Sequence, residues 1–128
     1  MQPVVLIVED HARVRRLLVD WVRAMHPDCE MLEVGSAEAA LDMLETRPPD
    51  VVLMDIQLPR MNGIEATGRI KAARPETQVV ILTIHEGAAY RDQALRAGAY
   101  AYVLKSRLQA QLVPVLRALL PGREERPN

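Results

Sequence analysis

Short apolar runs recur along this chain, and after most of them apolar residues return every three or four positions. Val4-Val5-Leu6-Ile7-Val8 is short, β-branched and without polar alternation, which predicts a strand buried on both faces. After Asp10, residues Val14, Leu17, Leu18, Trp21, Val22 and Met25 fall at helical spacing. They predict a core-facing stripe, with Arg13, Arg16, Asp20 and Arg23 left in water. A weaker strand follows at Glu30 to Val34. Gly35-Ser36 then turns the chain, and Ser36 is suited to cap a helix carrying Ala40, Leu41 and Leu44, which Pro48-Pro49 stops. Val51-Val52-Leu53-Met54 predicts a third strand ending at Asp55. Asn62, with Glu65 three residues later, opens a third helix that Pro75 closes. Val79-Val80-Ile81-Leu82 predicts a fourth strand ending at Thr83, followed by a helix from Glu86 to Ala97 with Gly98 at its end. That helix has only Ala94 and Leu95 as evident core contacts. Tyr100 to Leu104 predicts a fifth strand ending at Lys105, and Leu108 to Leu120 a fifth helix. Pro114 lies inside that last span, so the helix either starts near Leu112 or bends there.

Five successive strand–helix units predict an α/β fold: a five-stranded, doubly wound parallel sheet with helices on both faces. The right-handed crossover rule leaves few topologies, and the flavodoxin-like (βα)5 arrangement with strand order 2-1-3-4-5 suits five strands best. A chain of 128 residues, 49% hydrophobic and 26% charged, fits one domain. Its expected extent is 1–120, with 121–128 a polar tail or the start of a linker. A net charge of -1 argues against nucleic-acid or membrane binding by this domain itself. Cys29 is the single cysteine, which excludes an internal disulfide and fits a reducing cytoplasm. The first apolar run is too short for a signal peptide, and no run reaches membrane-spanning length.

The chemistry concentrates at strand ends. Glu9 and Asp10 follow the first strand, Asp55 ends the third, Thr83 ends the fourth and Lys105 follows the fifth. In an open parallel sheet these are all carboxyl ends on one edge, where ligands bind at the reversal of strand order. Carboxylates crowded there disfavour one another's ionisation, and a hard divalent cation such as Mg²⁺ relieves them with oxygen ligands. A carboxylate needs no base to act as a nucleophile, and phosphoryl transfer asks mainly for positioning and charge neutralisation. Asp55 is thus the candidate nucleophile, with Mg²⁺ and the Lys105 ammonium as neutralising charges and the Thr83 hydroxyl as a donor. Each residue also has a plainer reading: Asp10 as a helix cap, Thr83 as a strand former, Lys105 as a surface lysine. Cys29, His11 and His26 are expected at the surface and Trp21 in the core.

Four segments in order resemble CheY-like receiver domains of response regulators. They are Leu6-Ile7-Val8-Glu9-Asp10, the stretch from Val51 through Asp55 and Pro59 to Gly63, Ile81-Leu82-Thr83, and Gly98-Ala99-Tyr100-Ala101-Tyr102-Val103-Leu104-Lys105. The resemblance covers residue 3 to about residue 120. It implies that Asp55 accepts a phosphoryl group from a histidine kinase. It further implies that Asp10, Asp55 and the Gln57 backbone carbonyl hold Mg²⁺, with Glu9 assisting directly or through water. Thr83 and Lys105 would contact the phosphoryl group, and Tyr102 would be a rotameric switch coupled to Thr83. Gln57 and His85 would flank the group and tune its hydrolysis; neither is acidic, which implies slow loss. The stretch from Asn62 through Ser106 is most similar to receivers of LuxR-type transcription regulators. The implied output face is the fourth helix, fifth strand and fifth helix, a face that could also serve a homodimer. Arg13, Arg16 and Arg23 would offer a kinase-docking face. Many receivers carry proline after the lysine with a cis bond; Ser106 here favours trans. Such a domain catalyses only its own phosphorylation and dephosphorylation. An aspartyl-phosphate phosphohydrolase is a competing reading, weakened because Gln57 stands where such enzymes carry a second aspartate. A phosphate-independent, receiver-like binding module is another, and a nucleotide-binding flavodoxin-like protein lacks its glycine-rich loop.

Overall fold

The structure, a computed structural model, describes residues 2–120, so the polar tail 121–128 lies outside the described residues. The strands are β1 (Val4–Val8), β2 (Glu30–Val34), β3 (Val51–Asp55), β4 (Gln78–Thr83) and β5 (Ala101–Leu104). They pair in parallel in the order β2-β1-β3-β4-β5, the topology expected from the sequence. The helices are α1 (Ala12–Met25), α2 (Ala37–Thr46), α3 (Gly63–Ala73), α4 (Ala88–Arg96) and α5 (Val113–Leu119).

Alternate strand residues supply two separate cores. Leu6, Val8, Val52, Met54, Val79 and Ile81 pack beneath α2, α3 and α4. Val5, Ile7, Val51, Leu53, Val80, Leu82 and Val103 pack against α1 and α5 through Leu18, Val19, Val22, Leu112 and Leu116. Burying each large aliphatic side chain contributes about 1.5–3 kcal/mol, so β1 and β3, apolar on both faces, anchor the sheet. Ser36 caps α2 by accepting the Ala39 N–H at 3.1 Å, and Asn62 caps α3 by accepting from Ile64 and Glu65 at 2.9 Å. These caps hold both helix starts at the carboxyl edge of the sheet.

Three local expectations change. Val14 and Leu17 are exposed, at 37% and 64%, while Val19 is buried. Arg15 instead heads the inward stripe 15-18-19-22, because its guanidinium finds partners at the strand ends. Asp10 does not cap α1: His11 stands at the N-cap and makes no side-chain cap bond. Helix α4 is shorter than expected, with Gly87 at its N-cap, and Leu95 is exposed, so Ala94 is its buried anchor. Gly98 ends it with φ 109°, a left-handed conformation that glycine accepts at little cost. After β5 the chain makes a 3₁₀ turn over Lys105–Arg107 and a wide π turn over Leu108–Leu112 before α5 begins. Pro114 falls in the first turn of α5, where its missing N–H has no helical partner to lose. The described residues contain no cis peptide bond, so Lys105-Ser106 is trans.

Gly63 is the tightest joint between helix and sheet. A Cβ there would lie 2.0 Å from the Asp55 carbonyl oxygen and 2.9 Å from Met54 Cγ. At Gly68, in the middle of α3, a Cβ meets nothing within 4 Å. Gly63→Ala is expected to lower unfolding stability by about 2–3 kcal/mol through overpacking. Gly68→Ala is expected to raise it by up to about 1 kcal/mol through helix propensity. Urea denaturation of the two variants checks both signs, and equal effects would contradict the close approach at Gly63.

Candidate functional site

Strand register sets the site. Val8 pairs with Met54, so Glu9 and Asp55 emerge side by side from β1 and β3. Asp55 pairs with Leu82 and Thr83 with Leu104, so Thr83 lies one step beyond Asp55, and Lys105 one step beyond Thr83. This stagger turns four separate strand ends into one crevice.

Lys105 closes the crevice from the edge strand. Its Nζ lies 2.6 Å from Glu9 Oε1 and 3.3 Å from Asp55 Oδ2. Glu9 is 1% exposed and Asp55 7%, so one ammonium serves two carboxylates that are almost out of water. Burial raises the Glu9 pKa, but the hydrogen bonds from Lys105 and from the His11 backbone outweigh it and hold Glu9 below the ordinary range. Burial also raises Asp55. The pull of Lys105 opposes this, the negative charge of Glu9 adds to it, and Asp55 ends above its ordinary value. Burial lowers Lys105, but its two carboxylate partners outweigh that and raise it. The remaining Asp55 oxygen accepts from the Gln57 N–H at 3.4 Å, which sets the backbone of residue 57 beside the carboxylate.

The acid side continues outward. His11 Nδ1 lies 3.2 Å from Glu9 Oε2 and 3.2 Å from Asp10 Oδ1, and the His11 N–H donates to Glu9 Oε2 at 3.1 Å. Asp10, about one-third exposed, thus joins the cluster through His11. Donor atoms of Glu9, Asp10 and His11 lie within 4.8 Å of one another. Beneath them, Arg15 donates to the Glu9 carbonyl oxygen at 2.7 Å and to Glu33 Oε1 at 3.0 Å.

On the other side, Thr83 is fully buried and its Oγ1 accepts the His85 N–H at 3.1 Å. The Tyr102 hydroxyl donates to the His85 carbonyl at 2.7 Å, and its ring packs against the α2–α3–α4 core. Burial raises the Tyr102 pKa, and the neighbouring Thr83 hydroxyl pulls the other way. The His85 ring stacks on Tyr90 of α4 at 4.6 Å, and its Nε2 is buried without a partner among the described residues.

Glu9, Asp55, Thr83, Lys105, Gln57, His85 and Tyr102 therefore line one edge, with Asp10 at its rim. Sequence reasoning missed His11 and Arg15. Both lie in the six residues after Glu9, close enough in sequence to reach back to it, but neither residue type is informative alone.

Comparison with known proteins agrees with this geometry. The response regulator receiver domain family matches residues 5–117. The chain is 34% identical to the transcriptional regulatory protein DegU of Brevibacillus brevis over 119 residues, covering 92% of this chain and 50% of the relative. It is 34% identical to the response regulator GacA of Pseudomonas aeruginosa over 122 residues, covering 92% of this chain and 55% of the relative. A LuxR-family two-component response regulator from Aurantimonas sp. SI85-9A1 superposes with a TM-score of 0.85 at 32% identity, covering 93% of this chain and 85% of that one. The chain spans about half the length of the curated relatives DegU and GacA.

The raised Asp55 pKa carries a stability consequence. The fold disfavours ionised Asp55, and that cost is fully present above the folded pKa and disappears as pH falls below the unfolded value. In metal-free protein at neutral pH, Asp55→Asn is expected to raise the melting temperature by about 2–5 °C. Lys105→Met leaves two buried carboxylates without their cation and is expected to cost about 2–4 kcal/mol. That deficit shrinks as pH falls and the carboxyls protonate. Calorimetry on the two variants reads both signs, and stabilisation by Lys105→Met would contradict the shared ion pair.

Proposed function

The chain belongs to the response-regulator receiver family, and from that premise we propose that it is the phosphoacceptor module of a two-component transcription regulator, with Asp55 as the acceptor. The observation that carries this reading is the Asp55 carboxylate held at the sheet's carboxyl edge, 3.3 Å from the Lys105 ammonium. An Asp55 oxygen attacks the phosphorus of a phosphohistidine. The P–O bond forms as the P–N bond breaks, and the leaving imidazole nitrogen takes up a proton. Lys105 offsets the charge on the transferred group, and the Thr83 hydroxyl donates to one of its oxygens.

The donors around Asp55 are hard oxygens, with one ammonium for two buried carboxylates and Asp10 at the rim, a set that fits Mg²⁺. Asp10, Asp55 and the Gln57 carbonyl would hold the ion, with Glu9 assisting. Bound there, it would supply charge neutralisation to the phosphoryl oxygens.

Thr83 and Tyr102 form the switch in this reading, because both bond to His85 at the start of the loop leading to α4. Ala94 is the buried anchor of α4, so its packing offers little resistance to repositioning. Its charge event is local and its readout is the α4-β5-α5 face, which would engage a second copy or an output domain. In this reading the domain spans 1–120, and 121–128 is a polar tail or the start of a linker. The donor is a histidine kinase docking near α1, where Arg13, Arg16 and Arg23 are exposed. Gln57 and His85 offer no acid to activate water, so the acyl phosphate persists.

Acetyl phosphate with Mg²⁺, followed by intact mass, tests the reading. One phosphate adduct is expected on the wild type and none on Asp55→Asn. Lys105→Met is expected to slow adduct formation by about 100-fold. An adduct on Asp55→Asn would move the acceptor elsewhere, and an acyl-phosphate half-life of seconds would contradict the tuning assigned to Gln57 and His85.

A further inference from the structure

Lys105 does its work from a difficult position. It follows the last residue of β5, an edge strand, and the chain leaves the sheet at once into a 3₁₀ turn. Outward-facing N–H groups of an edge strand have no neighbouring strand to bond. Ser106 follows the lysine, and unlike proline it leaves φ free. The register with β4 ends at Leu104, so the lysine stem departs one residue beyond the last paired position, and its Nζ reaches two carboxylates at 2.6 and 3.3 Å.

The constraint comes from seven residues further on. The Leu104 N–H donates to Gln111 Oε1 at 2.9 Å. Gln111 is half-buried in the wide π turn Leu108–Leu112, next to Leu112, which is fully buried against the sheet. Pro114 stands in the first turn of α5, where its missing N–H loses no helical bond, and the wide π turn immediately precedes that helix. Such turns carry one extra residue per turn and re-aim the side chains they hold. Leu112 roots the turn in the core, and Gln111 reaches back from it to the strand end. Leu104 is also the register partner of Thr83, so the same bond steadies the two strand ends that carry the switch threonine and the lysine.

We propose that Gln111 is a positioning residue for the Lys105 ammonium. Its amide oxygen pins the Leu104 amide and with it the backbone from which Lys105 departs, so that Nζ falls between Glu9 and Asp55. This rests on the phosphoacceptor reading above. Gln111 touches neither carboxylate in the bonds that define it and acts through Lys105 alone. Misplacing a catalytic charge by about 1 Å can cost up to two orders of magnitude in rate, so a partly released lysine costs less than its removal.

The test compares Gln111→Leu, which loses the acceptor, with Gln111→Glu, which keeps one. Phosphorylation by acetyl phosphate is followed as a function of Mg²⁺ concentration, and hydrogen exchange of the Leu104 amide is read in the same proteins. Gln111→Leu is expected to lower the rate at saturating Mg²⁺ by about tenfold. The half-saturating Mg²⁺ should not rise, because a lysine drawn away from Glu9 and Asp55 leaves the carboxylates around the ion more negative, and the Leu104 amide should exchange faster. Gln111→Glu is expected to stay within about twofold of wild type on all three readouts, because a carboxylate accepts the same bond. The inference is overturned if Gln111→Leu reacts as fast as wild type, if the two variants fall together, or if the half-saturating Mg²⁺ rises as the rate falls, as a general loosening of the site would produce. Failure of the wild type itself to take up phosphate sinks the phosphoacceptor reading, and the positioning role with it. Unchanged Leu104 exchange in Gln111→Leu sinks the backbone clamp alone.

Discussion

One ammonium group shared between two buried carboxylates is the interaction on which the site depends. Glu9 and Asp55 are brought together by neighbouring strands and shielded from water, an arrangement that repels itself unless a cation intervenes. Lys105 is that cation, and it divides its charge unequally. The shorter contact goes to Glu9, which is held below the ordinary carboxyl range, and the longer to Asp55, which is left above it. The less satisfied carboxylate is the one positioned to act. A site with spare negative charge has reason to take up a hard cation and, with it, a phosphoryl group.

Everything around this pair keeps it in place. The parallel sheet delivers four strand ends to one edge with a one-residue stagger. Gly63 lets α3 start against the Asp55 carbonyl, Arg15 clasps the Glu9 carbonyl, and Gln111 holds the strand end before Lys105. The other side is built more loosely. The Tyr102–His85–Thr83 bonds and the His85–Tyr90 stack link the crevice to α4, which has little apolar anchorage of its own. Firm packing under the carboxylates and light packing under α4 give a local charge event somewhere to go.

Much of this was legible in the chain. The β1, β3 and β4 runs are apolar on both faces and announce themselves, and polar residues at their carboxyl ends locate the crevice by the geometry of open parallel sheets. Ser36 and Asn62 cap as their types suggest. What was not legible shares one cause, competition from tertiary partners. The α1 stripe lies one position round the helix from its apolar pattern because Arg15 heads it, and apolar periodicity cannot anticipate a half-buried guanidinium. Pro114 can begin or bend a helix, and the wide π turn over Leu108–Leu112 followed by α5 from Val113 shows that here it begins one. His11 is at the surface as expected, and what its residue type does not disclose is that it reaches back two residues to Glu9. The pairing of Lys105 with Glu9, closer than its contact with Asp55, spans 96 residues and has no local signature.

The unequal sharing is open to direct observation. Carbon-detected NMR titration of the Glu9 and Asp55 side-chain carboxyls in metal-free protein follows each group separately. If one ammonium serves both as the geometry shows, Glu9 titrates below the ordinary carboxyl range and Asp55 above it. Ordinary titration of both carboxyls, or an Asp55 that ionises before Glu9 as pH rises, would contradict the shared charge at the centre of this site.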